Sequence, residues 1–120
     1  MTKADEFVSL LLQARSIAHV AHWATPSFSA HMALGEFYEA ISDLMDGFVE
    51  QYQGYYNKRV APKVEAGSAS GIDGKLEAQV EWIERNRYEV CDKTETALQN
   101  TIDEVVALYQ TTLYKLRMLK

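Results

Sequence analysis

The chain has 120 residues, 48% of them hydrophobic and 24% charged, with six glycines, two prolines, one cysteine and a net charge of −5. That size and apolar share suit one packed domain and exclude a disordered, low-complexity or collagen-like chain. No stretch reaches the roughly 18 consecutive apolar residues of a membrane span. Lys3 and Arg15 are the only basic residues before Lys58, so no cation cluster is present to displace phosphate counterions, and nucleic acid is not an expected partner.

The first six residues, Met1-Thr2-Lys3-Ala4-Asp5-Glu6, lack the basic region and small-residue cleavage site of an export signal, so the chain reads as cytoplasmic. Cys91 has no second cysteine to pair with, which fits a reducing compartment. Near a helix junction and without a histidine beside it, it reads as a structural thiol.

Apolar residues at Phe7, Leu11, Ala14, Ala18 and Ala21, widened by Leu10, Ile17 and Val20, predict a helix over about residues 4–23. Thr25-Pro26-Ser27 breaks it, since proline disfavours helix at itself and at the residue before. Ser27 or Ser29 then caps a second helix over about 29–53, with a core stripe of Leu34, Phe37, Ile41, Met45 or Leu44, Phe48 and Tyr52, and Gly54 as its stop. Residues 53–72 show no period, which marks a working loop or a crossover whose Gly67–Gly71 part is the most flexible. A third helix over about 73–90 follows Leu76, Val80, Ile83 and Arg87, with Trp82 beside them. Asp92 and Glu95 have the spacing of a capping box. The fourth helix, about 94–118, runs through Leu98, Ile102, Val105, Tyr109, Thr112 or Leu113, and Leu116. The pattern is all-α, a single domain over 1–120, and describes a four-helix bundle with one long crossover between helices 2 and 3.

All three histidines, His19, His22 and His31, fall within thirteen residues. His19 and His22 share a helix face. From His31 onward, steps of three or four read Gly35, Glu39, Ser42, Asp46 and Glu50, a polar line distinct from the apolar one. Imidazole with carboxylate and no thiolate suits Fe, Mn or Zn. A carboxylate line on an amphipathic helix is ordinarily a solvated face. Gly35 and Ser42 argue for something else, because small residues let another helix approach, and glycine costs about 1 kcal/mol on a solvated helix. Trp23 and Trp82 read as core or interface anchors. Tyr55, Tyr56, Lys58 and Arg59 form a small aromatic-basic cluster that suits a partner contact or a surface loop. The sequence carries no Ser-His-Asp pattern, Gly-rich phosphate loop or CxxC pair.

His22-Trp23, a short loop, and the run from His31 through Asp46 to Glu50 resemble the first two helices of Dps, the mini-ferritin family. The resemblance implies a ferritin-like bundle and a metal site shared between two subunits. His22 and His31 of one chain would meet Asp46 and Glu50 of the other, with no catalytic residue distinct from these ligands. His19, Glu36 and Glu39 are additional candidates, and Trp23, Gly35 and Ser42 would lie at the interface. Iron is the implied metal, and the implied assembly is a homo-oligomer, a dimer at least or a larger cage. Two features depart from the family: Gly35 stands where Dps carries an acidic residue, and the loop before His31 is shorter. The second half, from Ala97 to Gln110 and at Tyr114-Lys115-Leu116-Arg117, is similar to short Dps-like proteins of tailed bacteriophages, as is Tyr52-Gln53-Gly54. Two functions follow as expectations. One is iron binding with ferroxidase activity and storage; the other is a structural or interaction bundle that keeps the dimer surface without catalysis, in an infected cell or in a virion.

Overall fold

The computed structural model describes residues 1–119, which form four α-helices: α1 (Lys3–Ala24), α2 (Phe28–Tyr56), α3 (Ile72–Val90) and α4 (Thr96–Met118). There is no strand among the described residues, and no helix there is long and apolar enough to cross a membrane.

The helix ends follow local chemistry. Thr2 and Asp5 form a reciprocal capping box, the Asp5 amide donating to Thr2 Oγ1 (3.1 Å) and the Thr2 amide to Asp5 Oδ2 (3.0 Å). Ser27, rather than Ser29, caps α2 by accepting from the Ala30 amide at 3.2 Å. Gly54 does not stop α2. The helix runs two residues further and ends where Asn57 adopts the left-handed conformation, which asparagine tolerates. Asp92 and Glu95 do not form the expected capping box. The Asp92 carboxylate instead accepts from the Thr94 amide and hydroxyl at 2.9 and 2.8 Å, closing a tight turn, and α4 begins only at Thr96 with Glu95 as its cap residue.

Side-chain pairs fix the topology. Phe7 packs on Phe48 (4.9 Å between ring centroids), so α1 and α2 are antiparallel. Thr101 donates to Gln51 at 2.6 Å and Lys115 to Glu36 at 2.7 Å, so α4 runs antiparallel to α2. Arg117 reaches Glu77 at 2.6 Å and Tyr109 donates to Gln79 at 2.8 Å, which sets α3 antiparallel to α4. Since α1 also packs on α3, the helices close a ring in the order α1, α2, α4, α3, with α2 and α3 parallel on one diagonal.

The connection between α2 and α3 is the crossover. It returns along α1: the Ala61 amide donates to Asp5 Oδ1 (2.7 Å), the Lys63 amide to Ser9 Oγ (2.8 Å), and Gln13 Nε2 donates to the Ala66 carbonyl (3.3 Å). At Gly67 the backbone comes so close that a Cβ would sit 3.0 Å from Ile17 Cγ2. Gly71 then turns the chain into α3 with a φ of 65°, a left-handed conformation that glycine adopts without strain.

The core holds the predicted stripes of α1, α2 and α4, with Phe7, Leu11, Phe37, Ile41, Phe48, Ile102, Val105 and Tyr109 all fully or almost fully buried. Met45 takes the core position rather than Leu44, and both Thr112 and Leu113 are buried. Three assignments change. Val20 lies on the outer face of α1, exposed to 48%. Arg87 is half-buried beside the core rather than in it, donating to Gln99 Oε1 (2.9 Å) and the Gln99 carbonyl (3.0 Å), while Val90 fills the last apolar position of α3. Trp23 is 67% exposed and not a core residue. Cys91 is buried under the α3–α4 turn, where Gln99 donates to its sulfur and burial pushes its thiol up to about 11. A thiol held protonated in this way is a packing group.

Asp5 serves both the α1 cap and the crossover, and the Ala61 amide holds its carboxyl below the usual aspartate range. Its folded pKa is depressed, so its contribution is present above the unfolded value and is lost as pH falls through the folded one. Asp5→Ala is expected to cost about 1–2 kcal/mol at neutral pH. Urea unfolding of the two proteins should converge as the pH drops below the normal aspartate range.

Candidate functional site

The turn between α1 and α2 brings His22 and His31 together. The rings stack with centroids 3.7 Å apart and planes inclined by 19°. Each Nδ1 meets the other residue's backbone carbonyl, His22 Nδ1 to the His31 carbonyl at 2.6 Å and His31 Nδ1 to the His22 carbonyl at 2.8 Å. A carbonyl only accepts, so both Nδ1 atoms are donors, and in the neutral ring that leaves Nε2 with its lone pair. The three-residue break Thr25-Pro26-Ser27 makes this clasp possible, because it is short enough to keep the last turn of α1 beside the first turn of α2.

Going down the same flank, His19 stacks on Tyr38 (4.0 Å, 16°) and lies 4.2 Å from Trp23. Tyr38 also meets His22 edge-on at 5.4 Å. Next, Ser42 donates to the Tyr38 carbonyl at 2.8 Å and accepts from Arg15 Nε at 3.1 Å. Tyr38 and Arg15 are thus parts of the site that reading the histidines and carboxylates alone does not reveal. The available signal was spacing: Tyr38 lies seven residues after His31, on the flank of α2 that turns toward α1.

Glycine at position 35 has a local cause. A Cβ there would lie 3.1 Å from His22 Cε1 and 3.2 Å from its Nδ1. The space that the family resemblance fills with an acidic side chain is taken in this chain by the His22 ring. Gly35 and Ser42 therefore already have neighbours within their own chain.

The polar line of α2 divides in two. Gly35 and Ser42 sit on the flank beside α1, whereas Glu39, Asp46 and Glu50 are exposed on the crest of the helix. None of these three has an ion-pair partner among the described residues, while Glu36 is held by Lys115 at 2.7 Å. Asp46 follows His31 by fifteen positions, about 22 Å along a helix. One chain therefore cannot bring its histidines and these carboxylates to one ion, and no group of three or more potential ligands occurs among the described residues. The stacking adds a second restriction. An imidazole lone pair lies in the plane of its ring, so two near-parallel rings cannot both aim at one ion. In this arrangement His22 and His31 address two separate positions. Exposed Trp23, Phe28 and Met32 flank them, Phe28 at 78% exposure.

Gly47, in the middle of the same helix, has open space where a Cβ would go. Gly47→Ala is expected to stabilise the protein by about 1 kcal/mol through helix propensity. Gly35→Ala should lose that gain against the His22 ring and shift the His22 and His31 side-chain NMR signals, which Gly47→Ala should leave in place.

Residues 22–116 match the family of unknown function DUF5856, and the chain belongs to that family. It is also 29% identical over 117 residues to an uncharacterized 14.6 kDa protein of the mobD–ri intergenic region of Enterobacteria phage T4, a match covering 98% of this chain and 90% of the relative. No solved structure matches the chain.

Proposed function

We propose that this protein is a Dps-like, ferritin-like iron-binding bundle whose metal positions are completed between two copies of the chain. The observation that carries the reading is the His22–His31 clasp, which fixes two imidazoles with Nε2 free while leaving their carboxylate partners on the same chain out of reach. A bundle with a single long crossover is the connectivity of ferritin-like folds. In a twofold dimer with α2 antiparallel across the axis, residue numbers in opposed pairs have a constant sum. Setting His31 opposite Asp46 of the second copy puts Gly35 opposite Ser42 and Tyr38 opposite Glu39. Glu50 then lies one helical turn beyond, near His22.

In this account the exposed carboxylates lack local cations because their partner is the metal brought by the other chain. Fe(II) is the substrate: carboxylate and imidazole ligands favour Fe(III), which assists loss of an electron to oxygen or peroxide, and a closed homo-oligomer would retain the ferric product. Manganese and zinc suit the same donors. Gly35 leaves one of the two positions short of an oxygen ligand, so one metal binds more weakly than the other. His19, stacked on Tyr38, and Glu36, paired with Lys115, act as supports rather than ligands. Glu39 lies near the axis. The phage relative suggests the cytoplasm of an infected bacterium as the working compartment.

A second reading has its own support. The His22 ring fills the space at Gly35, and Trp23, Phe28 and Met32 are exposed beside it, which suits an inherited dimer surface used for assembly, within a phage particle or on a host factor, without turnover. Light scattering and aerobic Fe(II) oxidation separate the two. The iron reading expects a dimer or larger species, and an oxidation rate above buffer that falls at least about tenfold, some 1.4 kcal/mol in barrier, in both His31→Ala and Glu50→Ala. A monomer contradicts both readings. An oligomer that oxidises iron no faster than buffer leaves the assembly reading.

A further inference from the structure

Between Lys3 and Lys58, Arg15 is the only basic residue. It is half-buried on the flank of α1 that faces α2. Its Nε donates to Ser42 Oγ at 3.1 Å, and its guanidinium carbon lies 5.9 Å from the centre of the Tyr38 ring. The side chain thus crosses the seam between the two helices. A guanidinium has five N–H donors, yet its two terminal nitrogens make no hydrogen bond among the described residues, and no carboxylate there pairs with it. On the neighbouring crest of α2, Glu39 and Asp43 are exposed one helical turn apart. Neither has an ion-pair partner among the described residues.

A shift of seven residues relates these groups to the candidate metal ligands. Seven back from His22 is Arg15, and seven forward from His31 is Tyr38. Seven back from Asp46 and Glu50 are Glu39 and Asp43. Seven residues make about two helical turns and return to nearly the same face. In the twofold arrangement α1 of one copy runs parallel to α2 of the other, because both are antiparallel to α2 of the first. Equal steps back along those two helices therefore keep their residues opposed, and the matching step along α2 of the first copy goes forward. The set His22, His31 and the second copy's Asp46 and Glu50 is repeated nearer the axis by Arg15, Tyr38 and the second copy's Glu39 and Asp43. The inner set has no pair of imidazoles, so a guanidinium rather than a metal ion is the positive charge at hand.

We propose that Arg15 pairs across the dimer interface with Glu39 and Asp43 of the second copy, and that this contact occurs twice, once on each side of the twofold axis. The contact rests on the antiparallel α2 pairing proposed for the metal positions. The planar fork of arginine suits two neighbouring carboxylates, and Ser42 and Tyr38 hold it in place on its own chain. Without Arg15 the two acidic crests would meet near the axis as like charges, which opposes association. With it, the two chains attract each other at the axis before any metal binds.

The test is a charge exchange on the full chain, followed by sedimentation equilibrium and native mass spectrometry in EDTA, where no metal bridges the copies. Wild type is expected to be at least dimeric. Arg15→Glu should weaken association at least about tenfold, and so should Glu39→Lys combined with Asp43→Lys. Mixed in equal amounts, these two variants should associate with each other at close to wild-type affinity, since one contact is then native and the other has its charges exchanged. Glu39 and Asp43 lie on the exposed crest, so their arm stands even if Arg15→Glu fails to fold. A wild-type dimer that either variant leaves intact, or folded variants that do not recover association on mixing, would overturn the proposal and leave the dimer reading in place. Wild type that is monomeric in EDTA and dimeric with Mn(II) would assign the attraction to the metal and overturn it as well. Wild type that is monomeric in both conditions removes the dimer reading, and this contact with it.

Discussion

The arrangement of this molecule depends on where the crossover lies. Fifteen residues from Asn57 to Gly71 separate α2 from α3, and fully extended they span about 50 Å, enough to travel the 44 Å long axis of the bundle. The chain uses that reach to return to the end at which α1 finished, which makes α3 parallel to α2 rather than a hairpin partner. Asp5, Ser9 and Gln13 hold the returning segment by its backbone; Val60 and Ala69 near its two ends pack partly against the core, while Val64 between them is 87% exposed.

Three surfaces of α1 are consumed as a result. Phe7, Leu11, Ala14 and Ala18 face the core, Asp5, Ser9 and Gln13 face the crossover, and Arg15, His19 and His22 face α2. Because the crossover takes the flank next to α3, the outer surface of the α1–α2 pair stays uncovered. The histidines and the unpaired carboxylates of α2 are displayed on that surface. Fold and candidate site are thus linked by one connection: a short α2–α3 hairpin would change which helices adjoin and which flank of α1 remains open.

Much of this was legible in the sequence, for specific reasons. Helices α1, α2 and α4 carry apolar residues at unbroken helical spacing, and burial rewards that spacing directly. The break at Thr25-Pro26-Ser27 was legible from its proline, whereas the joint role of His22 and His31 was implied only by the family resemblance. What escaped was set by neighbours in space. Asp92 has the capping-box spacing, but it bonds Thr94 first, and the nearer partner wins. Gly54 resembles a helix stop, yet a helix ends where its residues leave helical angles, which happens at Asn57. Gly35 reads in sequence as room for a partner helix, but the ring of His22, thirteen residues earlier, occupies the space beside it. The polar line of α2 likewise looked continuous, although helical geometry sends Ser42 toward Arg15 and Asp46 outward. The reciprocal carbonyl bonds of the histidines leave no mark in the sequence, because any residue offers a carbonyl.

The central claim is that two copies of the chain complete each other's metal positions, and mixing tests it directly. One variant lacks both histidines (His22→Ala with His31→Ala) and the other both carboxylates (Asp46→Ala with Glu50→Ala); each alone should be inactive in Fe(II) oxidation. Unfolded together in equal amounts and refolded, half of the dimers would be mixed, each with one of its two pairs of positions intact, restoring about a quarter of the wild-type rate for a twofold interface. A mixture that oxidises iron no faster than either variant alone, with mixed dimers present by mass spectrometry, would contradict the account.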